Sequence, residues 1–406
     1  MTTMFKTIIC ATTLVLTINS SAQTWEALQS MPVTAVVRHH PAAFSIGGVG
    51  YVVGGAEENS NALTDFYSYD PLADSWTDLG DYPGPPRGFG YALSTNTKGY
   101  VGFGINYDAG TSSEEYLKDL WEYEPLSDSW TQLTDLPGSA RIHPAMVEID
   151  GKIYVGCGGN EFGDLGDWWE YDINLDTWTE KATFPGSDRH HPYYFALDGY
   201  AYVGMGHSGL NIFKDFYRYD PQLDSWTQMG DLPDQGRVAG TQFTYDGKGY
   251  FLSGQGENHQ NLNTGEFWEY EPGTDSWTEL LAHPDGGRWA PGSFIISGGV
   301  YMMCGEADAG VKRDLMRFQI EGFAGIEDSQ KENEFTIFPN PTKGEITISN
   351  IENVAEVSIL DIKGSQIWNG KVTTNEALDL SHLEAGIYIC QINEDGKLRK
   401  EKLVIE

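Results

Sequence analysis

Tyr69-Asp70-Pro71-Leu72-Ala73-Asp74-Ser75-Trp76 is a phrase that the chain writes five times. The others are Tyr123-Glu124-Pro125…Asp128-Ser129-Trp130, Tyr171-Asp172…Asp176-Thr177-Trp178, Tyr219-Asp220-Pro221…Asp224-Ser225-Trp226 and Tyr270-Glu271-Pro272…Asp275-Ser276-Trp277. Proline has no N–H for a ladder, so the Asp-Pro or Glu-Pro pair ends one strand, and the Trp opens the next. With Trp25 upstream, the tryptophans stand 51, 54, 48, 48 and 51 residues apart. That period belongs to propeller blades.

A second phrase precedes each of these, with an aromatic four residues before a glycine: Tyr51/Gly55, Tyr100/Gly104, Tyr154/Gly158, Tyr202/Gly206, Tyr250/Gly254 and Tyr301/Gly305. Glycine at a strand end permits close backbone approach or a positive φ. Upstream of three of them, Asp150-Gly151, Asp198-Gly199 and Asp246-Gly247 read as two-residue hairpin turns. Four strands per repeat follow. The sixth copy, Asp314-Leu315-Met316-Arg317-Phe318-Gln319, has no following Trp. The Trp25 strand is then the missing outer strand of the last blade, and the ring is expected to close through both ends of the repeat region.

These residues resemble the kelch repeat, whose signature is a Gly-Gly strand end, a Tyr-Asp-Pro phrase and a Trp near the start of the outer strand. The resemblance covers about residues 24 to 320 and implies an all-β, six-bladed kelch-type β-propeller. At the repeat glycine itself, a literal double glycine stands only at Gly54-Gly55 and Gly158-Gly159.

Composition agrees with many short strands joined by tight turns: 48 Gly, 12 Trp and 22 Tyr among 406 residues. The net charge of −34 repels phosphate backbones and anionic lipid surfaces, so nucleic acid is not an expected partner. Residues 1–22 read as a secretory signal: Lys6, an apolar stretch from Ile8 to Ile18, and Ser20-Ser21-Ala22 as the cleavage site before Gln23. That stretch is too short for a membrane span, and no other long apolar run follows. Beyond Cys10 in that stretch, the three cysteines Cys157, Cys304 and Cys390 are too few for a disulfide scaffold. Cys157 and Cys304 share a register on facing blades and read as buried thiols.

The propeller is expected over 23–320 and a polar linker over 321–333. Strand patterning then resumes in 334–406, through Phe335-Thr336-Ile337-Phe338, Ile346-Thr347-Ile348, Val357-Ser358-Ile359-Leu360 and Ile387-Tyr388-Ile389-Cys390, as a small β-sandwich. Phe338-Pro339-Asn340-Pro341, Leu360-Asp361-Ile362-Lys363-Gly364, Leu383-Glu384-Ala385-Gly386-Ile387-Tyr388 and Lys402-Leu403-Val404-Ile405 closely resemble the type A sorting domain of the type IX secretion system. The resemblance implies a Bacteroidetes-type cell, recognition of the sandwich by the type IX machinery at the outer membrane, and a cargo released or attached to the surface.

Six arginines share one register at the entrance to the innermost strand: Arg38, Arg87, Arg141, Arg189, Arg237 and Arg288. A cationic ring there is a candidate site for a carboxylate, sulfate or polyol. The competing role is structural, since an acid also recurs six times: Asp65, Asp119, Asp167, Asp215, Glu266 and Asp314. A feature present in every repeat is more often architecture than a site, and Arg–acid pairs are then expected to tie blade to blade. The least equal register lies two residues beyond each Arg: His40, Phe89, His143, His191, Ala239 and Ala290. His40, His143 and His191 are candidate ligand contacts in the channel. A six-bladed ring is expected to hold them too far apart for a metal ion, so no metal or cofactor is assigned. The insertion from Asn106 to Lys118 is a candidate specificity loop.

No nucleophile elbow, zinc motif or phosphate loop appears, and no catalytic residue is singled out. The favoured reading is an exported binding module for a glycan or protein. The alternative is a sugar-acting enzyme, because similar kelch propellers include sialic acid mutarotases and copper-dependent galactose oxidases. The oxidase's copper site of Tyr, His and linked Cys has no counterpart here. A mutarotase needs an acid/base residue and an anion clamp, for which Glu57, Glu58 or Glu306 and the arginines are candidates.

Overall fold

The structure, a computed structural model, describes residues 24–320 and, in the C-terminal part, 336–340, 342–349, 354–360, 366–374, 376–383, 386–394 and 397–405. The expected leader, 1–22, and linker, 321–333, lie outside the described residues. Two compact units are divided at residues 322/323.

Burial within the first unit follows the sequence pattern outward from an axis. In the third repeat, Ala145–Ile149, Lys152–Gly156, Trp168–Asp172 and Thr177–Lys181 pair in that order, all antiparallel. The second strand is buried on both faces after its first residue, which is why it reads as an unbroken apolar run. The outermost strand alternates a half-buried Trp178 with exposed neighbours. Five other sheets repeat this plan. Their innermost strands touch one another in a closed cycle, which makes the unit a six-bladed β-propeller.

The turns have the conformation their residues require. Asp150-Gly151, Asp198-Gly199 and Asp246-Gly247 all take positive φ at both positions, the type I′ geometry that matches strand twist. The repeated glycine is obligatory: Gly104 has φ 94°, and a Cβ there would stand 2.3 Å from the Gly88 carbonyl oxygen.

Ring closure is as the sequence predicts. Trp25–Leu28 pairs with Leu315–Gln319 and completes the sixth sheet. Each repeat tryptophan is half-buried rather than enclosed, because its strand is the outermost of the blade. Its contribution includes a polar contact across the seam: the indole N–H of Trp178 donates to Thr134 O, that of Trp226 to Ala182 O and that of Trp76 to Gln29 O, each on the preceding blade. The Asp of the same phrase accepts from the preceding blade as well, as when Thr134 N donates to Asp176, which also accepts from Tyr171 Oη. The phrase of Tyr, Asp or Glu, three further residues, Asp, one residue and Trp is therefore a seam between blades.

In the second unit, Thr336–Phe338, Glu345–Ser349 and Ala377–Asp379 form one sheet, and Gln366–Val372, Ala355–Leu360, Gly386–Glu394 and Lys397–Ile405 form the other. They share one core containing Ile346, Ile348, Val357, Ile359, Ile392 and Leu403, a small β-sandwich.

Candidate functional site

The six register arginines are all buried, at most 2% exposed, and every one meets its repeat acid. In the third blade Arg141 Nη1 and Nη2 contact Asp167 at 2.7 Å each, and Nη1 also donates to Cys157 O at 2.9 Å. Burial alone would raise the Asp167 carboxyl, but hydrogen bonds and charge from Arg141 hold it below its ordinary value. The guanidinium groups thus present no cationic ring to a ligand. The side-chain pairing also differs from the expected tie between blades, since Arg141 and Asp167 belong to the same blade. The arginine backbone makes the tie instead: Arg141 N donates to Leu117 O, and Gly104 N donates to Arg141 O, both in the second blade.

Two residues on, the chain turns sharply inward. His40, Phe89, His143, His191, Ala239 and Ala290 all adopt left-handed φ between 47° and 59°, which costs a non-glycine residue about 1 kcal/mol. The recurrence is held in place by an annulus of main-chain bonds around the axis: His40 N donates to Ala290 O, His143 N to Phe89 O, His191 N to His143 O and Ala290 N to Ala239 O. Their side chains plug the propeller. Beneath the plug, from Pro41 and Pro291 onward, lies a central channel of about 380 Å³ whose lining includes Tyr91, Glu148, Tyr194 and Gln242.

This inward turn corrects the expectation that the histidines are held apart. His40 and His191 lie on opposite blades, the first and the fourth, yet their Nε2 atoms are 2.9 Å apart. The His143 ring stacks on His191 with centroids 3.3 Å apart, and ligand atoms of all three histidines fall within 4.8 Å of one another. Burial lowers all three well below the ordinary histidine value, so each is a neutral imidazole.

Counting the three of the plug, seven of the chain's nine histidines collect in one cup, with His39, His190, His207 and His259 around the plug. His39 Nδ1 lies 2.7 Å from His40 Nδ1, His191 Nδ1 lies 3.4 Å from His207 Nε2, and His207 Nδ1 lies 2.9 Å from His259 Nε2. His190 pairs with Asp164. Burial also lowers His39 and His207, each to about 4. Trp289 packs its half-buried ring on His39 and His40, with centroids 4.7 and 4.6 Å apart.

Most of the cup was missed by counting from the arginine to the second residue alone. The residue directly after each Arg bridges to the one directly after each repeat Gly: His39 to Ala56, Gly88 to Ile105, Ile142 to Gly159, His190 to His207, Val238 to Gln255 and Trp289 to Glu306. Both registers vary from blade to blade, the same irregularity that singles out His40, and reading them would have found His39, His190, His207 and Trp289. The polar residues fall on blades 1, 4, 5 and 6, facing a plainer wall on blades 2 and 3. Glu306 sits on this rim, and Glu57 bonds to Asn61 in the blade 1 loop. The insertion after Gly104 forms a hairpin, Ile105–Asp108 with Ser113–Tyr116, whose Tyr107 O and Ala109 N bond to Ala62 and Asn61 of the neighbouring blade. Cys157 and Cys304 are buried free thiols, each pushed up to about 12 by burial.

With this geometry, the chain matches two known families. The KLHDC2/KLHL20/DRC7 Kelch-repeats domain matches residues 8–192, and the Secretion system C-terminal sorting domain matches residues 336–406. Among curated proteins, the N-acetylneuraminate epimerase of Pasteurella multocida (strain Pm70) is 34% identical over 95 residues, which are 22% of this chain and 24% of that protein. The matched stretch thus spans about a quarter of the relative's length. The fold and the matches define a kelch-repeat β-propeller protein. It carries a type IX sorting tail, which implies the type IX machinery as partner and export to the cell surface or the medium. Among the described residues, no helix is long and apolar enough to cross a membrane.

Proposed function

We propose that this exported propeller is a binding module that takes a carbohydrate in its histidine-lined cup, after passage across the inner membrane by the leader at 1–22 and across the outer membrane of a Bacteroidetes-type cell by residues 334–406. The observation that carries this reading is the concentration of neutral imidazoles and one half-buried indole at the channel mouth. Neutral imidazole supplies both a donor and an acceptor, as sugar hydroxyls require, and Trp289 offers a flat apolar face with a polar edge. With all six register arginines committed to carboxylates, a neutral sugar suits the cup better than an acidic one. Such a cluster, carried on loops held by a rigid ring, is where binding residues belong.

A glycan array probed with the mature chain tests the proposal. Binding is expected to fall at least tenfold in Trp289→Ala and in His259→Ala; binding that survives both substitutions would refute the cup as the site. The local likeness to N-acetylneuraminate epimerase supports a second reading, catalysis on an acidic sugar. A mutarotation assay on N-acetylneuraminate separates the two, because turnover would favour the enzyme and binding without turnover the module. Deleting residues 334–406 is expected to retain the protein in the periplasm; surface delivery of the truncated chain would refute the sorting role.

A further inference from the structure

The three histidines of the plug have a property that sugar binding does not explain. Both ring nitrogens of His143 are buried without a hydrogen-bond partner. An unmet buried polar atom costs about 1–3 kcal/mol, so such a group points to something that satisfies it. His143 packs against the rings of Phe89, His40, His190 and His191. Its two nearest imidazole neighbours are already oriented. His40 has its Nδ1 engaged by His39 and His191 its Nδ1 by His207, which leaves the two Nε2 atoms turned towards each other. Holding the far nitrogen of a ligating imidazole is how proteins aim the near one at a metal.

From this arrangement we infer that His40, His143 and His191 bind one divalent d-block cation, with zinc as the reference ion, at the axis of the propeller. Three neutral nitrogen donors suit zinc, copper or nickel and do not suit calcium or magnesium, which prefer oxygen. The present spread of ligand atoms, up to 4.8 Å, exceeds the roughly 3.4 Å that bonds of about 2.0–2.1 Å give in a tetrahedron. Binding then draws the three ligand atoms inward by side-chain rotation. Three protein ligands leave a position open towards the cup, where water or a ligand oxygen completes the shell. The inference stands whichever sugar, if any, the cup accepts.

The test uses untagged mature chain, stripped with a chelator and then titrated with zinc chloride or with cobalt(II) as a spectroscopic probe. One equivalent of zinc per chain after desalting and tetrahedral-type cobalt bands are expected, with no retention of calcium or magnesium. His143→Phe and His191→Ala keep residue types that this register already carries in Phe89, Ala239 and Ala290, so the fold tolerates both. Each is expected to weaken zinc binding at least tenfold while still giving a single cooperative melt in chelator. No stoichiometric metal in the parent, or zinc retained by both variants, would overturn the inference. So would loss in His190→Ala combined with retention in His143→Phe, because it would move the ion to the adjacent His190, His191 and His207 group.

Discussion

Two neighbouring shells surround the propeller axis, and they differ in how they use the repeat. The outer shell holds one Arg in every blade, fully buried and bonded to an acid of its own blade. The inner shell, two residues further along the chain, has the same left-handed backbone in every blade but different side chains: three His, one Phe and two Ala. Constancy in the first shell reflects a task that each blade must perform for itself, the docking of its entry loop. Variation in the second reflects a place where six chains meet at one point and only one arrangement is needed. The comparison teaches that a backbone can be strictly periodic while its side chains form a single asymmetric site.

The widest gap between the shells should appear in stability. Arg141→Ala leaves the half-buried Asp167 with the Trp169 indole N–H but without its guanidinium, and we expect a loss of about 3 kcal/mol in denaturant unfolding. A loss below 1 kcal/mol would break the assignment of the outer shell to architecture. Trp25→Ala removes a half-buried ring packed on Phe267 and Phe318, together with an indole bond to Leu281 O. A loss of about 3 kcal/mol is expected, and an unchanged melting curve would refute closure by the N-terminal strand.

His283 sharpens the comparison from another side, since it occurs in one blade only and yet its surroundings are structural. It is 2% exposed, with Nε2 2.9 Å from Ser253 Oγ, and burial lowers it to about 4. Because the folded value lies below the unfolded one, its contribution is complete above about pH 6.5 and is lost as pH falls towards 4. The size is roughly 2–3 kcal/mol. His283→Gln should flatten the fall in stability between pH 6.5 and 4 by that amount, and an unaltered pH profile would show that His283 does not report the change. The smallest loss is expected in the inner shell: His143→Phe should lower metal-free stability by no more than about 1 kcal/mol, since it removes two unmet ring nitrogens and Phe89 already fills the equivalent place. A loss as large as that of Arg141→Ala would erase the distinction between the shells.

Most of the fold was legible because its determinants are local. Pro71 ends a strand by lacking an N–H, Asp150-Gly151 turns because both residues tolerate positive φ, and the missing Trp after Gln319 left a gap that only Trp25 could fill. The pairing of Arg141 with Asp167 was also legible, as two co-periodic charges of opposite sign, although which blade each side chain would join was not. The site was less so. His40, His143 and His191 stood out by their irregularity, but their meeting depends on how far the entry turns lean toward the axis, and that follows from φ values near 50° and an annulus of main-chain bonds between blades.

The sequence by itself therefore determined six blades, the closing strand, the sorting domain and the register in which side chains vary, because each depends on neighbours along the chain. Tertiary structure alone decided that arginines on a presumed ring are withdrawn into the blades and that histidines 151 residues apart touch. The physical reason is the ring itself: its radius at the plug is set by six sheets packing against one another, a distance that no single repeat encodes.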